Sequence, residues 1–203
     1  MRCLILTMIF CLLLPSAAYA RAGEYFSLES GETLDQGEGA FSIWGGYPYA
    51  GMKYILCPTH YFDTGIQFDV DYEPTFGLGV PLKVQLLESS GGKLNFALSF
   101  LPNLNFRFAK GDVAVYSKIF GGFDTGWKIY RGITFFLRGH YAVELPISEI
   151  AEFAHYPRAK AGFEFPVLRT FNIGVEGFAE FKEYKVDDFV YGGNLILSFA
   201  LWD

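Results

Sequence analysis

The sequence predicts an all-β fold: a transmembrane antiparallel up-and-down β-barrel of eight to ten strands, ten favoured, with a narrow polar lumen. Three observations predict it. Apolar and polar residues alternate over most of the chain, as they do where successive strand side chains point to opposite faces. The apolar members are bulky and continuous, and they stand opposite a face of Gly, Ala, Asn, Ser, Thr and scattered charge. With 22 Phe and 13 Tyr against 19% charged residues, a soluble exported domain would have nowhere to bury its aromatic surface.

The chain opens on Met1-Arg2, an apolar run from Cys3 to Leu14, and Pro15-Ser16-Ala17-Ala18-Tyr19-Ala20, which read as a cleaved secretory signal over 1–20. That run falls short of the roughly 20 apolar residues a membrane-spanning helix needs. Removing it takes away Arg2 and turns the formal charge of −6 into −7, which argues against a nucleic-acid partner. It also removes Cys3 and Cys11, leaving Cys57 with no cysteine to pair with. Cys57 therefore reads as a packed apolar residue. Residues 21–38 are polar, acidic and without periodicity, and read as a tail or a small plug.

The barrel domain is expected over 39–203. Residues 39–57 read as a hairpin turning at Pro48-Tyr49-Ala50-Gly51, and counting that hairpin gives ten strands instead of eight. Strict alternation then marks strands at 64–72, 76–87, 93–108, 113–123, 132–145, 158–167, 171–182 and 190–202. Short turns at 88–92, 109–112, 130–132 and 168–170 separate them, with longer connections only at 146–156 and 183–189. Pro81 and Pro102 fall inside strands, where each lacks a ladder donor and marks a bulge or a segment beyond the bilayer. The strands reach the roughly 9–11 tilted residues that cross a membrane.

A membrane barrel places the apolar face outward and the polar face in the lumen. The predicted lumen-facing cations are Lys83, Arg107, Lys118, Arg138, Arg158, Lys160 and Lys182, and the anions are Asp69, Asp71, Asp124, Glu144, Glu164, Glu176 and Glu180. His140 joins them. Seven of each sign suggest crossed ion pairs closing a narrow lumen, whereas a channel selective for one ion sign carries an excess of the other. Trp127, Tyr130, Tyr156, Tyr191 and Trp202 lie near strand ends and are expected at the membrane interface. In the connection 146–156, Ile147, Ile150 and Phe153 are expected to pack over the barrel mouth.

Arg138, His140 and Glu144 invite a catalytic reading. Yet His140 and Glu144 are about 13 Å apart along one strand, and no GxSxG or HExxH motif accompanies them. His60 and His155 lie in poorly patterned segments. No enzymatic activity, cofactor or metal site is expected.

Over 39–203 the signal, the period-two alternation and the lack of an apolar helical span resemble the small bacterial outer-membrane β-barrel proteins. That resemblance implies the Gram-negative outer membrane, outer-membrane lipid around the wall, and the barrel-insertion machinery as a biogenesis partner. It also implies a structural or surface-interaction role, with no surface ligand specified. The chain departs from the pattern in ending Phe199-Ala200-Leu201-Trp202-Asp203, where Trp202 is penultimate and out of phase with the apolar face. The alternatives are a small porin-like pore, a lipid-modifying barrel enzyme, and a soluble periplasmic lipocalin-like carrier of an apolar ligand.

Overall fold

The computed structural model describes residues 27–72, 74–89, 92–109, 111–130, 132–181 and 189–201. Residues 1–20, Lys182 and Trp202 lie outside them. Eleven strands follow in chain order: β1 Gly39–Tyr47, β2 Tyr49–Thr59, β3 Phe62–Asp71, β4 Thr75–Gly79, β5 Leu82–Glu88, β6 Leu94–Ala109, β7 Asp112–Tyr130, β8 Ile133–Pro146, β9 Ala154–Leu168, β10 Phe171–Phe181 and β11 Phe189–Ala200. Each pairs antiparallel with its neighbours, β2 pairs β3, and β1 pairs β11 from Ala40↔Ala200 to Tyr47↔Gly193, which closes the ring.

Eleven strands make ten staves, because β4 and β5 are halves of one. Both pair β3 on one side and β6 on the other. The single strand expected over 76–87 is thus split at Val80-Pro81, and the two prolines explain the split. Val80 N–H donates to the Pro102 carbonyl at 3.1 Å. Residues paired in an antiparallel ladder normally exchange two such bonds, but Pro102 has no N–H to return, and Pro81 next along the chain has none either.

The wall is inside-out relative to a soluble domain. Ile66 is 60% exposed, Leu195 52% and Leu98 50%, whereas Glu180 is 0%, Glu164 2% and Arg138 9%. Alternation dictates this: on β8, Thr134, Phe136, Arg138, Ala142 and Glu144 are buried inside, while Leu137, Tyr141 and Leu145 are exposed outside. A soluble carrier would need the opposite lining.

The lumen is narrow because large inward side chains lie over glycines facing them in the next strand. Trp44 covers Gly51, His140 covers Gly122, Phe136 covers Gly162 and Phe178 covers Gly192, while Asn103 and Asn105 cover Gly79 and Gly77. Close packing of this kind tolerates little added volume. A Cβ at Gly162 would stand 2.1 Å from the Val175 carbonyl oxygen and 2.6 Å from Phe136 Cζ. Gly162→Ala should therefore cost about 1–3 kcal/mol, read as a lower urea midpoint for the refolded protein in detergent.

Both ends of the wall, at Gly39 and Ala200, lie on one rim together with the connections 60–61, 89–93, 131–132 and 169–170. The opposite rim carries the longest connections, including 147–153.

Candidate functional site

Residues 27–38, which precede the wall, sit inside it. Ser27, Leu28, Glu29, Ser30, Thr33, Leu34 and Gln36 are all buried, at the rim where the wall begins and ends. The segment suits this place because it offers side-chain and backbone polar groups to a polar lining, with two leucines to spare. Leu28 and Leu34 cluster with Ala40, Ile55 and Cys57 on β1 and β2. Gly31 lies flat on wall backbone, where a Cβ would meet the Asp124 carbonyl oxygen at 2.5 Å and Ala97 N at 2.9 Å.

Glu29 is the centre of the plug. One carboxylate oxygen takes Lys53 Nζ at 2.5 Å and the other takes Arg138 NH1 at 2.6 Å. Arg138 also donates to the carbonyls of Glu29 at 2.6 Å and Leu28 at 3.1 Å. Lys53 is on β2 and Arg138 on β8, five staves apart whichever way round the ring is followed. A single carboxylate therefore bridges opposite walls. Burial works against its charge, but Arg138 and Lys53 outweigh that and hold it well below the usual carboxylate range.

Further anchors surround it. Glu164 on β9 accepts from the Ser27 hydroxyl and from Leu28 N at 3.3 Å. Lys83 on β5 pairs with Asp63 at 3.1 Å and donates to the carbonyls of Ser30 and Glu32. Gln85 accepts from Thr33 N at 2.8 Å, Asp63 from Leu34 N at 3.2 Å, and Lys128 on β7 pairs with Glu32 at 2.7 Å. Cys57 Sγ lies 2.7 Å from the Leu34 carbonyl, so Cys57 is covered by the plug.

Above the plug a cavity of about 110 Å³ is lined by Leu28, Glu29, Lys53, Arg138, His140 and Ser99, with Trp44, Ile55 and Ile196 on an apolar side. Ion pairs cross the lumen above it. Lys160 meets Glu176 at 2.7 Å, Arg158 meets Glu180 at 2.9 Å and Lys118 meets Glu144 at 3.1 Å. The Arg158 guanidinium is 5.1–5.2 Å from the ring centres of Tyr49, Phe120 and Phe178. Nearer the far mouth, Asp69 accepts from Gln67 and Asn103, Asp71 lines a second cavity of about 80 Å³, and Arg107 lies over the Tyr116 ring.

Ser99, Gly122 and His140 lie in one row across β6, β7 and β8. Because Gly122 has no side chain, Ser99 Oγ reaches His140 Nε2 at 2.8 Å, and Asp124 Oδ1 reaches the same nitrogen at 2.8 Å. A nucleophilic triad needs the hydroxyl on one ring nitrogen and the carboxylate on the other. Here both oxygens share Nε2, which differs from the triad arrangement.

Among the interface aromatics, Trp127, Tyr130 and Tyr191 are exposed on the outer face. Tyr156 is a correction: it is 0% exposed inside the barrel, donating to Glu144 at 2.9 Å beneath Lys118. The reason is parity, since Tyr156 shares the inward phase of Arg158 and Lys160 on β9. Tyr156→Phe should cost about 1–3 kcal/mol by removing a donor from a buried carboxylate, whereas Tyr191→Phe should leave the urea midpoint unchanged. Ile147, Ile150 and Phe153 are exposed and do not pack over the mouth, because Ser148 ties their connection to Val115 on β7.

The alternation also hid several charges. Asp63 and Lys128 are inward on strands that reach further than the pattern suggested, Lys53 is inward on the less regular hairpin expected over 39–57, and Glu29 and Glu32 lie in the segment without periodicity.

An apolar outer belt, a charged interior and a closed antiparallel ring define a transmembrane β-barrel. No protein-family profile and no curated protein matches the chain. The solved structure of the outer membrane protein OpdK from Pseudomonas aeruginosa aligns with 79% of this chain and 61% of its own length, at 8% sequence identity and a TM-score of 0.31. This chain thus spans less than two thirds of that one.

Proposed function

We propose that this chain is an integral outer-membrane barrel closed at rest by its own N-terminal segment, with a structural or surface-contact role and no enzymatic one. The observation that carries this reading is the Glu29 carboxylate held between Lys53 and Arg138 from opposite walls. The crossed pairs above it narrow the lumen further. With both ends of the wall on one rim, the plug faces the periplasm, the insertion machinery acts from that side, and the longer connections face outward. The exposed Ile147, Ile150 and Phe153 then form the part of the connection available to a partner at the cell surface.

Planar-bilayer recording tests closure. The full mature chain should be electrically silent at neutral pH, and deletion of residues 27–36 should give discrete conductance steps. Steady conductance by the intact chain would overturn the reading.

A further inference from the structure

The plug's central contact has the form of a receptor occupied by a built-in ligand. Chemically the Glu29 side chain is a propionate. Its two oxygens are divided between two cations that do not belong to the plug, and among the described residues no other carboxylate comes within 4 Å of Lys53 Nζ. Arg138 has a further carboxylate in reach, Asp124 at 3.7 Å, besides the plug carbonyls of Glu29 and Leu28. Both cations belong to the wall, on β2 and β8, and meet on the one carboxylate of the plug. An Arg fork and a Lys ammonium, each on its own oxygen, match a carboxylate in geometry and charge.

The cradle opens onto the 110 Å³ cavity, which offers hydrocarbon contact on one side through Trp44, Ile55 and Ile196. That cavity and the one nearer the far mouth have Trp44, Gln67, Phe120, Arg158 and Lys160 in common as lining, and the Lys160–Glu176 and Arg158–Glu180 pairs stand between them.

We propose that Lys53 and Arg138 form a binding site for a small free carboxylate bearing a short aliphatic tail, which takes the place of Glu29 when the plug undocks. Occupancy of the site then favours release of the plug. The head takes the two cations, and the tail lies against Trp44, Ile55 and Ile196. Since the ligand binds only where Glu29 has left, it shifts the equilibrium toward the undocked state by its affinity for that state alone. This inference rests on the closure reading above.

The native reporter is Cys57, covered by Leu34 and reachable by a water-soluble alkylating reagent once the segment leaves. The full mature chain in liposomes is titrated with sodium hexanoate, and with sodium chloride and hexanamide as matched controls. Hexanoate should speed Cys57 alkylation at least tenfold and raise open probability in parallel, with neither control doing so. Lys53→Met should abolish the response to hexanoate, and Glu29→Gln should label fast without ligand. If Glu29→Gln labels fast and conducts while hexanoate acts no better than chloride, the carboxylate site is overturned and closure stands. If the 27–36 deletion neither conducts nor exposes Cys57, closure fails and the site fails with it.

Discussion

Glu29→Ala should convert a silent barrel into one that opens in bursts and labels readily at Cys57. The substitution leaves Lys53 and Arg138 buried and facing each other across the lumen without the carboxylate that joined them. Removing one partner of a buried pair costs about 3–5 kcal/mol. At about 1.4 kcal/mol per factor of ten, that raises the undocked fraction roughly 10²- to 10⁴-fold. The remaining anchors, Ser27 on Glu164, Thr33 on Gln85 and Leu34 on Asp63, are individually weaker. The measurement is the alkylation rate of Cys57 in refolded protein. A rate equal to wild type would show that Glu29 does not hold the segment.

Leu137→Arg should damage the wall and spare the plug. Leu137 faces outward near the middle of β8, where an arginine must enter hydrocarbon at about 2–4 kcal/mol. Its neighbour Arg138 faces the lumen and spends its donors on Glu29, Leu28 and Asp124. Arg138→Gln should therefore expose Cys57 while moving the urea midpoint much less. Two adjacent residues thus separate the two properties, and equal effects on both readouts at both positions would refute the orientation of the wall.

From β6 to β11 the lining could be read directly from alternation, because lipid outside and charge inside give the two faces opposite chemistry. Every inward charge assigned on β8 and β9 is inside: Arg138, His140, Glu144, Arg158, Lys160 and Glu164. The pattern blurs in β1 and β2 for a physical reason. There the lumen face is partly apolar, with Ala40, Ile55 and Cys57 packed on Leu28 and Leu34 beside Ser42 and Lys53, so the two faces of the hairpin contrast less. The irregularity of 39–57 is the imprint of the segment before it. Partners such as Glu29 with Lys53 and Arg138 join residues far apart in the chain, and no spacing rule encodes them. Ser99 with His140 depends on the register across Gly122, which the chain alone does not state. Tyr156 was within reach of the sequence, since counting back by two from Arg158 places it inside.

The cradle that holds Glu29 also has a history. Lys53 and Arg138 become opposite walls only after the last strand, β11, has paired with the first along Ala40↔Ala200 to Tyr47↔Gly193. Contacts of such long sequence separation form late, because loop-closure entropy must be overcome before they give any return. The segment at 27–38, made before every strand of the wall, should therefore gain its Glu29 contacts only once the ring has closed, although Leu34 can cover Cys57 on β2 before that.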